Sequence, residues 1–200
     1  MTTKVTRGHG LLEGFLARQR TRQAQKLIGV DRRHGRVLDI GCGSFPLFLA
    51  STSFAEKFGL DRVAVGVSDD VRAQDVKLIE HDLASGRELP FPPDFFDVVT
   101  MLAVFEHVDP DLITNLVREV RRVLRRGGVY VMTTPSYWTE GLLKLLAGLG
   151  MVSREELDEH TRNYRHPDIR SILLDAGFAV DQVRLGYFEA AMNTWATAVK

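Results

Sequence analysis

Cysteine is almost absent from this chain, with Cys42 as the single cysteine among 200 residues. One thiol cannot form a disulfide within the chain, so the small secreted folds that depend on a disulfide framework are excluded. The first residues, Met1 to Lys4, lack the continuous apolar stretch of a signal peptide. We therefore expect a cytoplasmic protein.

The sequence also lacks an excess of charge of either sign and a long apolar run. Its 26 basic residues balance 26 acidic residues, which gives no general attraction to nucleic acid. The nearest approach to a membrane span, Leu142 to Val152, is interrupted by Lys144 and by glycines, and it is shorter than the roughly 20 apolar residues that cross a bilayer. We expect neither a nucleic-acid partner nor stable membrane insertion, and interpret the stretch as a lid, an interfacial helix or a buried packing segment.

The overall composition is ordinary for one globular domain. With 44% hydrophobic and 26% charged residues, the chain is long enough for one full core and too short for two domains of usual size. A single domain is expected over 1–200, with an N-terminal helical part over 1–30 and a lid-like insertion over 135–166.

Helical patterns occupy the start and the middle of the chain. Apolar residues at helical spacing predict an amphipathic helix from about Leu11 to Ile28. Its polar face carries four basic residues, Arg18, Arg20, Arg22 and Lys26. They are interpreted as a solvated face, with the alternative that one arginine reaches a functional site. Asp109 before Pro110 predicts the start of a second long helix, which Gly127 and Gly128 are expected to end.

Strand patterns alternate with the helical ones. The predicted strands are Val37–Ile40, Lys57–Leu60, Val76–Glu80, Phe96–Val104, Val129–Thr133, Phe178–Leu185 and Tyr187–Val199, and shorter helices are predicted over Pro46–Ser53 and Pro167–Ala176. Near-continuous apolar strands such as the fourth are typical of parallel sheets that helices cover on both faces. The order predicts an α/β fold with a doubly wound, mostly parallel seven-stranded sheet, helices on both faces, and the seventh strand at an edge.

The strongest local signal follows the first strand, in Val37-Leu38-Asp39-Ile40-Gly41-Cys42-Gly43-Ser44. A tight glycine turn lets backbone approach a ligand closely at the carboxyl end of the strands, where open α/β sheets bind ligands. Asp61 follows Asp39 by 22 residues and ends the next strand. Acidic residues at such strand ends commonly accept hydrogen bonds from ribose hydroxyls. A rival second strand, Val63–Val67, would place Ser68 or Asp69 at the ribose instead.

These motifs, taken in order, resemble the class I S-adenosylmethionine-dependent methyltransferases, in particular the broad small-molecule group of ubiquinone-type and natural-product enzymes. Three later segments add to the resemblance: Glu80-His81-Asp82-Leu83, Phe96-Asp97-Val98-Val99 and Val104-Phe105-Glu106-His107-Val108. It covers nearly the whole chain and implies a Rossmann-like methyltransferase sheet and S-adenosylmethionine as the cofactor.

The resemblance also implies roles for single residues. Asp39 starts the glycine motif, Gly41 and Gly43 line the methionine part of the cofactor, and the position of Asp61 holds the ribose hydroxyls. Asp82 faces the adenine amino group, and its neighbour Leu83 packs beside the ring. Cys42 lies within the cofactor-binding turn as a small filler without chemistry. The family often has a third glycine where this chain has Phe45 and then Pro46, so the turn is bulkier and stiffer than usual.

Glu106 and His107 are the candidate catalytic residues, at the expected end of the fourth strand. Histidine can act as a base near neutral pH, and positioning or capping is the alternative for His107. Methyl transfer is a displacement that needs chiefly alignment once the acceptor is nucleophilic. No metal is expected, because His160, Tyr164 and His166 lack a recognised ligand spacing.

The acceptor is inferred largely from what is missing. There is no Asn-Pro-Pro-Tyr type sequence after the fourth strand and no added RNA-binding module, so a small molecule and O-methylation are favoured. The insertion from Pro135 to His166 is rich in apolar residues, which indicates an apolar, lipid-like or aromatic acceptor, or a plain packing role. The alternatives are a non-catalytic methyltransferase-like scaffold and a nicotinamide-dependent oxidoreductase. Pro46 counts against the oxidoreductase, because it stands where the fingerprint Gly-x-Gly-x-x-Gly has its last glycine. The sequence leaves the oligomeric state open.

Overall fold

Seven strands lie side by side in one sheet within the part of the chain that the computed structural model describes, residues 13–43, 45–62, 75–139 and 164–200. The strands are β1 (Arg36–Ile40), β2 (Glu56–Asp61), β3 (Val76–Glu80), β4 (Phe96–Leu102), β5 (Leu124–Pro135), β6 (Val183–Phe188) and β7 (Asn193–Val199). Their order across the sheet is β3-β2-β1-β4-β5-β7-β6. The first five strands pair in parallel, and β7 is antiparallel to both of its neighbours. The predicted doubly wound, mostly parallel sheet is confirmed.

Helices cover both faces of this sheet. They are α1 (Glu13–Leu27), α2 (Leu47–Ala50), α3 (Pro110–Val123) and α4 (His166–Asp175). The apolar stripe of α3 and residues of α4 pack with β1, β4 and β5 in one core, whereas α1 and α2 pack with Val37, Val98 and Val131 in a second core on the other face. Two separate cores on a single sheet are what a doubly wound α/β fold requires.

The start of α3 follows the sequence prediction closely. The Asp109 carboxylate accepts a hydrogen bond from the backbone N–H of Asp111 at 2.8 Å, and Pro110 occupies the first helical turn. This cap satisfies one of the backbone donors that a helix start leaves unpaired. The predicted end is wrong, because α3 stops at Val123 and Leu124 already pairs with Phe96 in the sheet.

The position of β7 corrects a second expectation. The last strand was predicted at an edge, but it lies between β5 and β6, and β3 and β6 form the two edges. The small residues Ala196 and Ala198 are fully buried, whereas Arg184 and Tyr187 of β6 are exposed. The sixth strand also starts later than predicted, since Val180–Gln182 form a 3-10 turn that precedes it.

Several predicted features lie outside the described residues. These are the first residues of the N-terminal helix, the rival second strand with Ser68 and Asp69, and most of the insertion, from 140 to 163. None of the described helices combines the length and the apolar character that crossing a membrane requires.

Candidate functional site

The carboxyl ends of four parallel strands meet at one edge of the sheet. In the strand register, Asp39 of β1 pairs with Gly59 of β2 and with Thr100 of β4. Asp61, the last residue of β2, pairs with Glu80, the last residue of β3. The register therefore brings together the segments that the sequence singled out after β1, β2, β3 and β4.

The glycine turn leaves β1 at this edge in a conformation that suits only glycine. Gly41 and Gly43 have φ angles of 72° and 68°, in the left-handed region that L side chains rarely adopt. The backbone N–H of Gly41 donates to the Leu60 carbonyl at 2.7 Å. A Cβ at Gly41 would overlap the side chain of Val104, which follows β4. The turn, which has no side chain at Gly41 and Gly43, therefore lies between β2 and the end of β4.

Asp61 is joined directly to that turn. Its Oδ2 accepts a hydrogen bond from the backbone N–H of Gly43 at 2.8 Å, and its side chain is only 5% exposed. The strand β2 ends at Asp61 as predicted, so the carboxylate belongs to the edge of the sheet. The two strongest sequence candidates thus form one hydrogen-bonded unit.

Asp39 is buried between β1 and β4. Its Oδ1 accepts a hydrogen bond from the Thr100 hydroxyl at 2.6 Å. Burial raises the pKa of Asp39 from an ordinary value of 3.8 to about 7, while the Thr100 hydroxyl lowers it and the charge of Asp61 raises it further. Thr100 carries no sequence signal of its own, because its role depends on the register between β1 and β4.

Cys42 fills space beneath the turn. Its side chain is buried, and its Sγ lies 2.8 Å from the point that a Cβ on Gly59 would occupy. A side chain on Gly59 would also crowd Leu78. The Cys42 side chain therefore packs as a small group against β2.

Asp82 and Leu83 lie on the rim beyond β3. The Asp82 Oδ1 accepts from the backbone N–H of Ala84 at 3.0 Å and caps the 3-10 turn Leu83–Ser85. The backbone N–H of His81 donates to the Asp61 carbonyl at 2.9 Å, which ties this rim to β2. Asp82 is exposed and Leu83 is half-buried.

Glu106 and His107 do not end a strand as predicted. Strand β4 ends at Leu102, where the next residue, Ala103, has a φ of 55°. Phe105–His107 then form a 3-10 turn that is anchored by the Phe105 ring against Tyr164, with ring centroids 4.9 Å apart. Glu106 is 2% exposed and His107 is half-buried. The turn brings both residues to the same edge of the sheet as the glycine turn.

Among the residues that the structure describes, no cluster of three or more histidine, cysteine, aspartate or glutamate side chains is arranged to hold a metal ion. Of the residues weighed as metal ligands in the sequence, His160 lies outside the described ranges.

Comparisons with known proteins agree with this geometry. A family model for a methyltransferase domain matches residues 10–183. A probable S-adenosylmethionine-dependent methyltransferase from Mycolicibacterium smegmatis is 31% identical over 159 residues, which are 78% of this chain and 56% of that protein. The chain spans about half the length of the curated relatives it matches.

Solved structures show the same fold at low sequence identity. A Thermotoga maritima S-adenosylmethionine-dependent methyltransferase, a possible histamine N-methyltransferase, matches with a TM-score of 0.68 and 16% identity over 93% of this chain and 92% of that one. An S-adenosylmethionine-dependent methyltransferase from Mesorhizobium loti matches with a TM-score of 0.66 and 18% identity, over 92% of this chain and 100% of that one.

Proposed function

Because the chain belongs to the class I S-adenosylmethionine-dependent methyltransferases, we propose that it binds S-adenosylmethionine at the glycine turn and methylates a small-molecule acceptor, on a hydroxyl oxygen. The observation that carries the proposal is the hydrogen bond from the Gly43 N–H to the Asp61 carboxylate. It joins bare backbone and a buried acid at the sheet edge where α/β folds bind nucleotide-like ligands.

The residues present fit the cofactor. Gly41 and Gly43 both have left-handed φ angles and carry no side chain, so a ligand can approach the backbone of the turn closely. Asp61 provides carboxylate oxygens for a ribose diol at the end of β2. Asp82 and Leu83, on the rim of β3, provide a polar group and an apolar surface for an adenine. Asp39, tied to Thr100 inside the sheet, supports the turn from below.

The acceptor side of the proposal rests on the turn after β4. S-adenosylmethionine supplies, when bound, a methyl carbon on a positively charged sulfur that a nucleophilic oxygen can displace. The chain's task is then to align a hydroxyl and to accept its proton. His107 is half-buried at this edge of the sheet, and we assign it the proton or the alignment of the acceptor. Glu106 is buried in the same turn, and we assign it to the catalytic turn together with His107.

The test is transfer of a labelled methyl group from S-adenosylmethionine into an extract of small metabolites. We expect one or a few labelled products. They should not form when the hydroxyl groups of the extract are blocked chemically before the reaction. The His107→Ala variant should lower single-turnover transfer about 100-fold or more if His107 takes the proton, and should chiefly raise the acceptor's KM if it aligns the acceptor.

Two results would contradict the proposal. Binding of S-adenosylmethionine without transfer to any metabolite, across pH 6 to 9, would favour a non-catalytic scaffold. Label recovered on nitrogen or carbon would retain the methyltransferase and reject O-methylation.

A further inference from the structure

A cavity opens beside the end of α1, on the face of the sheet that this helix covers. Its volume is about 360 Å³, within the range of about 300 to 1,000 Å³ that small-molecule sites commonly have. Three apolar residues, Leu27, Val129 and Val199, line it together with polar side chains that include Arg32 and Arg184. An apolar surface with a few convergent polar groups is the usual composition of a site for a small molecule.

Strand pairing fixes the base of this cavity. Val129 of β5 pairs with Val199 of β7, and Arg184 of β6 pairs with Thr197 of β7. Paired residues on neighbouring strands lie on the same face of a sheet, as do residues two apart along one strand. Leu27 packs in the core on that face with both valines. The lining residues of the three strands therefore share one face and hold fixed positions relative to one another.

The cavity is far from the glycine turn. Val129 is level with Val98 of β4, which is level with Val37 of β1, and the glycine turn begins four residues after Val37. Four strand residues span about 13 Å, and the three strand spacings from β1 to β7 add about 14 Å at right angles. The two places are thus roughly 20 Å apart, so the cavity is separate from the site of the proposed function.

Hydrogen-bond donors in the cavity lack acceptors. Arg32 is held by a hydrogen bond from its Nη1 to the Gly127 carbonyl of β5. Arg184, within the described part of the chain, forms no hydrogen bond or ion pair through its guanidinium group, which is exposed. Thr197 is only 9% exposed, yet its hydroxyl has no hydrogen-bond partner among the described residues. A largely buried hydroxyl is costly unless water or a ligand satisfies it.

The charges of the lining favour one negative charge. Two guanidinium groups and the Asp181 carboxylate line the cavity, which gives a net charge of +1. In the structure, Asp181 forms an ion pair with neither arginine. A monoanion neutralises this charge, whereas the second negative charge of a dianion would be repelled by Asp181. The planar fork of a guanidinium matches a carboxylate in particular.

We propose that this cavity is a second binding site, for a small organic monocarboxylate with an apolar body. The carboxylate accepts hydrogen bonds from Arg184, Arg32 and the Thr197 hydroxyl. The body lies on Leu27, Val129 and Val199, where burial of apolar surface adds affinity. The site does not depend on the proposed function, because it shares no residue with the cofactor edge.

Four probes test this class of ligand: 3-phenylpropionate, 3-phenylpropan-1-ol, acetate and phenyl phosphate. The alcohol lacks the charge, acetate lacks the apolar body, and phenyl phosphate carries a second charge. Methyl signals of Leu27 and Val199 in a ¹H–¹³C spectrum, assigned with Leu27→Ile and Val199→Ile, report on the cavity. We expect 3-phenylpropionate to shift both signals saturably, and the other three probes to bind at least about tenfold more weakly.

Variants separate the site from unspecific attraction of an anion. Arg184→Met should weaken 3-phenylpropionate about tenfold or more, and Arg184→Lys should retain part of the affinity because it keeps the charge without the fork. Thr197→Val, which removes the hydroxyl at nearly constant shape, should weaken it about threefold or more. Asp181→Asn should strengthen phenyl phosphate more than 3-phenylpropionate. Arg170→Met is the matched control, because Arg170 is exposed on α4, which packs on the opposite face, and it should bind like wild type.

The proposal is overturned if 3-phenylpropionate leaves both methyl signals unchanged, if any other probe binds as tightly, or if Arg184→Met binds like wild type. Saturating S-adenosylhomocysteine should leave the affinity for 3-phenylpropionate unchanged, and displacement of the probe would place it at the cofactor edge instead. Absent binding of S-adenosylhomocysteine would reject the proposed function and leave the second site intact.

Discussion

At the scale of single residues, Asp61 combines one observed contact and one proposed role on a single carboxylate. It receives the Gly43 N–H at 2.8 Å, and it ends β2 where a ribose would lie. Under the proposed function, the same carboxylate also accepts hydrogen bonds from the ribose of the cofactor. Substitution should therefore affect cofactor affinity more than the stability of the fold.

We expect Asp61→Ala to weaken S-adenosylhomocysteine binding by roughly 1.5 to 3 kcal/mol, the scale of hydrogen bonds to a charged group. Titration calorimetry measures it. Asp31→Ala is the control, since Asp31 is exposed before the start of β1, and it should bind like wild type. Equal affinity for Asp61→Ala and wild type would show that another residue holds the ribose, with Asp69, outside the described residues, as the next candidate.

Asp39 makes the stability of the protein depend on pH. Because its pKa is raised from 3.8 to about 7, the folded protein keeps this proton at pH values where the unfolded chain has lost it. The folded state then binds more protons than the unfolded state, so the free energy of unfolding falls as the pH rises through this window. Above the folded-state pKa, the free energy of unfolding is lowered by the whole cost of keeping the Asp39 charge buried.

Asp39→Asn cannot ionise, so its stability relative to wild type should increase between about pH 5 and pH 8, by roughly 1 to 3 kcal/mol. Urea unfolding at several pH values measures the difference. Asp31→Asn should show no such trend. If the Asp39→Asn and wild-type curves ran parallel across this range, Asp39 would be ionised in the folded protein throughout.

Some of these residues could be predicted from the sequence and others could not. Asp39 and Asp61 follow short apolar strands, so their position at strand ends is a local property of the chain. Thr100 and Val104 contact the site only through the pairing of β4 with β1 and the course of the chain after β4. The basic face of α1 is interpreted as solvated, with one arginine reaching a functional site as the alternative, because helical spacing alone does not show which polar residue turns toward another element.

At the scale of elements, the glycine turn can be tested against a second glycine of nearly the same conformation. Gly41 and Gly127 have φ angles of 72° and 74°. A Cβ on Gly41 would overlap Val104, whereas a Cβ on Gly127 would meet none of the described atoms within 4 Å. Alanine substitutions at these two glycines therefore separate the cost of the left-handed backbone from the cost of steric overlap.

Gly127→Ala should cost about 1 to 2 kcal/mol of stability from the left-handed conformation alone. Gly41→Ala should cost more and should weaken S-adenosylhomocysteine about tenfold or more, because the turn must move away from Val104. Urea unfolding and calorimetry measure the two effects, and Val104→Ala in the Gly41→Ala background should recover part of the affinity. Identical losses of stability, with unchanged affinity, would mean that the turn tolerates a side chain.

The sequence predicts whether a segment is a helix or a strand better than it predicts the first and last residues of that segment. β3 matches its prediction residue for residue, and α3 begins at its predicted cap. The ends that failed depend on tertiary pairing: β5 extends back to Leu124 because that residue finds a partner in Phe96. The place of β7 inside the sheet also depends on pairing, since chain order alone left it at an edge.

At the scale of the whole molecule, the site exists because parallel strands all point one way. The segments after β1, β2, β3 and β4 are separated along the chain, yet they converge at one edge of the sheet. The glycine turn, Asp61, the Asp82–Leu83 segment and the Glu106–His107 turn thereby lie along one end of the strands. The proposed function requires that S-adenosylmethionine binds here.

Titration calorimetry of S-adenosylhomocysteine against the wild-type chain measures this binding. We expect saturable heat at a stoichiometry of one site per chain, a matching increase in thermal stability, and no heat with nicotinamide dinucleotides. The proposed function would be contradicted by the absence of heat and of a thermal shift with both S-adenosylhomocysteine and S-adenosylmethionine at millimolar concentration. It would equally be contradicted by saturable binding of a nicotinamide dinucleotide that Gly41→Ala abolishes.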